Sequence, residues 1–244
     1  MMDTQTQAQI YLADQRGCSE TPFFRSYHTF NFGPYTAEDR EPFGPLHLLN
    51  DDTLRVGASL TMRVEQPTTV VLFPVMGGLE YTVDGSIDFL EPGQLGVLAV
   101  PTGTTYSVSN PYEQEQINFL QLWLTNPSDD LQLTIDQIPF DLTTINTLLP
   151  IFGSTNLDHS DHPTVKGFIG RYTGRQEGTY PIAPAAELVD TGMFVFVLQG
   201  AFEVANRLLH AKDSLSLRYN QPDQLEFEAL SNDAIILLLE LPFR

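Results

Sequence analysis

Leu79-Glu80-Tyr81-Thr82-Val83-Asp84-Gly85-Ser86-Ile87-Asp88-Phe89-Leu90 reads as two five-residue strands around a two-residue turn. A turn that short needs positive φ at both central residues, which Asp and Gly tolerate at low cost. The stretch predicts a β-hairpin. On either side, Thr68 to Pro74, Leu95 to Val100 and Ile117 to Leu124 are short apolar-rich segments, set apart by Gly77-Gly78, Pro92-Gly93 and Asn110-Pro111. Residues from about Leu54 to Leu124 therefore predict a sandwich or barrel. Gly77-Gly78 lies in no Gly-x-Gly-x-x-Gly or Walker pattern, so a strand turn is expected there and not a phosphate cradle.

The segment Asn126 to Pro163 has a different character. It holds Pro127, Ser128, Asp129 and Asp130, a candidate short helix from Leu142 to Leu149, and the polar stretch Ser154 to His162. Strand-like segments resume at Phe168 to Thr173, Met193 to Leu198, Phe202 to Ala205, Ser214 to Arg218, Leu225 to Glu228 and Ala234 to Leu241. The two halves echo one another. Val75-Met76-Gly77-Gly78-Leu79-Glu80-Tyr81 and Leu90-Glu91-Pro92-Gly93-Gln94-Leu95 have counterparts about 120 residues later, in Val197 to Val204 and Leu209 to Leu215. That offset predicts a domain duplication and not a short-period solenoid. The expected organisation is a first β domain over residues 1–126, a connector over 127–163 and a smaller β domain over 164–244.

Composition bounds the function. With 42% hydrophobic residues, 16 Phe, 9 Tyr and 18% charged residues, the chain has the apolar surface to fold. Its 31 Asp and Glu against 12 Lys and Arg give a formal charge of −19, which repels phosphate backbones and anionic lipid surfaces. Direct nucleic-acid binding is not expected. The longest apolar run, Ala234 to Leu239, is of strand length, far short of the ~20 residues of a membrane span. The polar, Gln-rich start lacks the basic and apolar regions of a secretory signal, and one Cys forms no intramolecular disulfide. A cytoplasmic location follows as the expectation. Cys18 has only Arg16 as a basic neighbour in sequence and is expected to be inert.

Ser26-Tyr27-His28-Thr29-Phe30-Asn31-Phe32-Gly33, followed by Phe43-Gly44-Pro45-Leu46-His47-Leu48-Leu49-Asn50-Asp51-Asp52, closely resembles the opening of the pirin family. The likeness continues through Pro101-Thr102-Gly103-Thr104-Thr105-Tyr106-Ser107-Val108-Ser109-Asn110 and Phe119-Leu120-Gln121-Leu122-Trp123, and covers the chain from about Arg16 onward. The resemblance implies an all-β fold of two cupin-type, jelly-roll-like β-barrels, a bicupin, with few short helices. It also implies a metal, usually iron, held in the N-terminal cupin by three His and one Glu, and a quercetin 2,3-dioxygenase activity in several members.

The ligands that the resemblance implies are missing. Counted without a gap from Asp52 and Gly57, the family's His-x-His pair falls on Arg63 and Glu65; counted from Pro101, its third His falls on Tyr106 and its Glu on Val108. Arg is a permanent cation, Val has no donor atom and Tyr is ordinarily neutral at pH 7. A shift by one residue brings in only Met62, Val64 and Gln66. No bound metal or other cofactor is expected. Arg63 and Glu65, two apart on a strand, share a face and are expected to pair, either as a polar plug in the space of the metal or, with Tyr106 and Val108, as a vestigial ligand pocket. His28 and His47 lie outside the family's ligand positions and are expected to be structural. Trp123 and Phe119 are expected in the core, and Asp158-His159-Ser160-Asp161-His162 is expected to be a solvated connector. Three functions stand open: a non-catalytic protein that binds a small molecule or a protein, a quercetin 2,3-dioxygenase-like oxygenase with relocated ligands or metal-free chemistry, and a purely structural or oligomerising module.

Overall fold

The computed structural model describes residues 7–126, 128, 130–153, 165–183 and 190–243. Among them the chain is built almost wholly of antiparallel strands, with one 3₁₀ turn at Ala13–Gln15 and no α-helix. No helix among the described residues is long and apolar enough to cross a membrane. The contacts divide the chain into two units, one running from Arg16 to Phe140, the other joining the residues up to Gln15 to those from Asp141 onward.

In the first unit, β2 (Gly17–Glu20), β3 (Phe24–His28), β4 (Leu46–Leu54), β6 (Thr68–Met76), β9 (Gln94–Val100), β11 (Ile117–Thr125) and β12 (Thr134–Pro139) form a seven-stranded sheet in the order β12-β9-β6-β11-β4-β3-β2. β5 (Ser59–Arg63), β7 (Leu79–Val83), β8 (Ser86–Leu90) and β10 (Thr105–Ser109) form a four-stranded sheet in the order β5-β10-β7-β8. Alternate residues of both sheets meet in one core, with Leu54, Val70, Leu72, Leu79, Tyr81, Leu90, Leu98, Val108 and Phe119 among its buried members. Full burial of such side chains is worth roughly 1.5–3 kcal/mol each.

The second unit repeats this plan. β1 (Gln7–Tyr11), β13 (Leu149–Phe152), β14 (Lys166–Tyr172), β16 (Asp190–Gln199), β19 (Ser214–Tyr219) and β21 (Ala234–Phe243) lie in the order β1-β19-β16-β21-β14-β13. The smaller sheet is β15 (Glu177–Ile182), β20 (Asp223–Ala229), β17 (Ala201–Val204) and β18 (Arg207–His210), in that order. The duplication is visible in its turns. Asp84 and Gly85 close the β7–β8 hairpin at φ 48° and 77°, while Ala205 and Asn206 close β17–β18 at 46° and 61°. Gly93 (φ 91°) turns the chain from β8 into β9, and Lys212 (φ 73°) does the same between β18 and β19.

Three expectations change. The candidate helix from Leu142 to Leu149 is a series of turns leading into β13. The Asp141 carboxylate takes the backbone N–H and hydroxyl of Thr143 at 2.8 and 2.7 Å, and Asn146 sits at φ 59°, so local side-chain bonds replace a helical ladder. The first unit extends to Phe140 and not to residue 126, because β12 pairs with β9 from Thr134↔Ala99 to Pro139↔Gln94. The second unit takes in the N-terminal strand: Gln7 to Tyr11 pair with Arg218 to Ser214, and Ala13 N–H donates to Asp213 at 2.7 Å. The stretch Asp158 to His162 lies outside the described residues.

Candidate functional site

Strand parity decides what reaches the interior of the N-terminal barrel. β10 pairs with β5 so that Tyr106 faces Met62 and Val108 faces Leu60. Tyr106 and Val108 are buried in the core, and so are Met62 and Val64, whereas Arg63 and Glu65 point outward. The Arg63 guanidinium and the Glu65 carboxylate do pair, at 3.4 Å, but their side chains are 62% and 78% exposed. The four residues expected to share a pocket are thus split between the two faces of the small sheet. The count from Gly57 places Arg63 and Glu65 on the outer face, while their neighbours Met62 and Val64 face the core, as side chains alternate along a strand. The pair is a solvated surface contact, and neither a polar plug nor part of a pocket.

A different set of polar groups occupies the interior. β4 turns Leu48, Asn50, Asp52 and Leu54 inward, and β11 turns Phe119, Gln121 and Trp123 inward. The Tyr106 hydroxyl donates to Gln121 Oε1 at 2.7 Å and accepts the Trp123 Nε1–H at 2.8 Å. Gln121 Nε2 in turn donates to Asp52 Oδ2, and Ser26 also bonds to the Asp52 carboxyl. On the far side His28 lies 3.0 Å through Nδ1 from Asn50 Oδ1 and 2.9 Å through Nε2 from Ser19 Oγ. The Asn50 oxygen only accepts, so Nδ1 carries the proton and Nε2 accepts from the serine.

Electrostatics follow from this burial. Asp52 Oδ1 has no hydrogen-bond partner among the described residues. Burial pushes the Asp52 carboxyl up to about 7, against the opposing effect of the bonds from Ser26 and Gln121. Burial likewise drives Tyr106 well above the ordinary phenol range, so it stays a neutral hydrogen-bonding group. It lowers His28 and keeps that imidazole neutral as a structural bridge. His47 bonds Thr125 Oγ1 at 3.1 Å and stands edge-on to Trp123 at 5.8 Å, a structural role too.

No family model matches the sequence. The chain superposes on YhhW from Escherichia coli with a TM-score of 0.83 at 19% identity, over 98% of this chain and 99% of that one. A second structure, described as the bacterial pirin YhhW in complex with nickel(II), gives a TM-score of 0.82 at 18% identity over 98% and 100%. The chain has the two-barrel fold of that bacterial pirin. By sequence it is 24% identical over 135 residues to a quercetin 2,3-dioxygenase of Escherichia coli K12, a match spanning 54% of this chain and only 58% of that protein's length.

The pirin-type scaffold thus carries an interior that does not fit a divalent ion held by three imidazoles and a carboxylate. The inward positions on β5, just after it and on β10 are Leu60, Met62, Val64, Tyr106 and Val108, none of which offers a nitrogen or an ionised oxygen. Among the described residues no group of three or more His, Cys, Asp and Glu side chains converges to hold a metal. The sequence reading missed Asp52 and Gln121 as site residues. Their signal was present: each is a polar residue at an inward position of a strand whose other inward positions are mostly apolar.

Proposed function

We propose that this pirin-type bicupin carries no metal-dependent oxygenase chemistry in its N-terminal barrel and works by binding a partner. The observation that carries this reading is the filling of the barrel by Met62, Val64, Tyr106 and Val108, with the phenol held between Gln121 and Trp123. A metal of this kind needs nitrogen or carboxylate donors and open coordination positions, which these four side chains do not supply. The −19 charge supports a partner that is neither nucleic acid nor an anionic membrane.

The test is elemental analysis of protein purified without chelators or a metal-affinity tag, followed by equilibrium dialysis against ferrous iron and nickel(II). The expected result is far less than one metal per chain. Near-stoichiometric binding to the native chain that is lost on Asp52→Asn would overturn the reading and place the metal in the barrel. The relatives named quercetin 2,3-dioxygenase make quercetin the substrate to assay; oxygen-dependent turnover would overturn the reading as well.

A further inference from the structure

Among the described residues the small sheet of the N-terminal barrel ends at β8, which pairs with β7 alone. The two-residue turn dictates which of its backbone groups are taken. Val83 and Ser86 close the hairpin, so Ser86, Asp88 and Leu90 turn their N–H and C=O toward β7, and Ile87 and Phe89 turn theirs to the open edge. The Phe89 carbonyl accepts the Gln137 side-chain amide at 3.3 Å. Among the described residues no other hydrogen bond reaches the open-edge groups of Ile87 and Phe89.

The side chains on this edge are out of keeping with their sheet. Across its outer face run two rows, Thr61–Ser107–Thr82–Ile87 and Ser59–Ser109–Glu80–Phe89. Each row is polar until the last strand, where Ile87 is 64% exposed and Phe89 40% exposed. The five β7–β8 pairs run without a bulge, and β8 contains no Pro, Lys or Arg. Natural edge strands are commonly guarded by such features.

Charge selects the occupant. From Arg63 to Lys166 the intervening sequence has no Lys or Arg and thirteen Asp or Glu. Asp84, Asp88 and Glu91 flank the edge and are exposed, and Glu80 lies beside Phe89 in its row. A second copy of this strand would bring the same negative charges into register, which disfavours self-pairing. A cationic segment meets the opposite sign along its whole length.

We propose that β8 is a docking edge for an extended, positively charged segment of another protein, which joins the small sheet as a fifth strand through the backbone of Ile87 and Phe89. Main-chain bonds supply the contact, alternate side chains of the guest cover Ile87 and Phe89, and its cations pair with the flanking carboxylates. This deepens the binding reading above and rests on it, while metal analysis tests that reading separately.

The experiment is amide hydrogen exchange on the full chain at low salt with three synthetic peptides. An acetylated (Lys-Val)4 amide is the probe, a (Lys-Pro)4 amide has the same charge but cannot pair as a strand, and a (Glu-Val)4 amide has the opposite charge. The expected result is that (Lys-Val)4 slows exchange at Ile87 and Phe89 by ~10-fold or more, and that the other two peptides do not. Ile87→Pro removes an edge N–H without touching the β7 ladder, and Ile87→Lys adds a like charge; each should abolish the protection at the Phe89 amide while leaving the thermal midpoint nearly unchanged. Equal protection by (Lys-Pro)4, protection confined to other strands, or no protection at all would overturn the proposal. Concentration-dependent protection of Ile87 without peptide would also overturn it, by showing a second copy on the edge.

Discussion

The two barrels share one plan and fill it differently. Each hairpin turn follows a Val, Val83 in one barrel and Val204 in the other; Val83 pairs with Tyr106 and Val204 with Phe227. At the irregularity in each large sheet, Phe119 pairs with Pro74 and Asp52, and Ile236 pairs with Val197 and Gly170. Two residues further on, Gln121 faces Asn50 and Leu238 faces Phe168. The first barrel thus carries Asn50, Asp52, Tyr106 and Gln121 where the second carries Phe168, Gly170, Phe227 and Leu238. In the second, Phe227 meets Tyr172 edge-on at 5.2 Å and Phe202 at 6.3 Å, an arrangement of rings that asks for no hydrogen-bond partner. The difference shows that the duplicated scaffold tolerates either a polar network or an apolar filling. The polar one ties stability to protonation near neutral pH.

The largest expected effect tests that tie. Asp52 has a folded-state value of about 7 against 3.8, so the folded chain binds more protons than the unfolded chain between these limits. Its contribution to stability therefore falls as pH rises through that window. At about 1.4 kcal/mol per unit the total is about 4 kcal/mol, of which about 3 kcal/mol falls between pH 5 and pH 8. Asp52→Asn removes the titration, and urea unfolding at the two pH values should show the variant gaining on the native chain by that order. An advantage identical at both would break the polar side of the comparison.

The converse graft is Leu238→Gln, which places the first barrel's amide in the second barrel without Tyr106 or Asp52 to receive it. A loss of about 3 kcal/mol is expected from the unpaired buried amide; a loss under about 1 kcal/mol would mean that the second interior admits water. Tyr106→Phe makes the first barrel resemble the second and leaves Trp123 Nε1–H and Gln121 Oε1 unpaired. It should cost about 2 kcal/mol and shift the emission of Trp123, the single tryptophan of the chain. An unshifted emission would argue against the bond to Nε1. The smallest effect is at the matching turns, where Ala205 holds a positive φ that Asp84 holds in the first hairpin. Ala205→Asn should raise stability by about 0.5 kcal/mol, because Asn tolerates this conformation better than Ala; a lowered midpoint in urea would contradict it.

Much of this organisation was legible in the chain. Asp84-Gly85 marks its hairpin because the turn demands positive φ, a local requirement that local residues meet. The echo between Leu90 to Leu95 and Leu209 to Leu215 marks the duplication for the same reason, since both are turns between the same pair of strands. The candidate site was legible only in part. Counting along Gly57 to Glu65 identifies the strand but not which of its faces is inside, and the structure turns Met62 and Val64 to the core and Arg63 and Glu65 to solvent. The N-terminal strand was out of reach of any local reading, because Gln7 to Tyr11 find their partners some 200 residues away at Ser214 to Arg218.

By itself the sequence determined the all-β class, the repeat of two barrels and the acidity, all of which are matters of residue type and short-range spacing. Only the tertiary structure decided which residues face the interior, that Asp52, Gln121, Tyr106 and Trp123 meet there, and that β8 is left at an edge. Those depend on the pairing register of strands far apart in the chain, which side-chain alternation constrains only up to the choice of face.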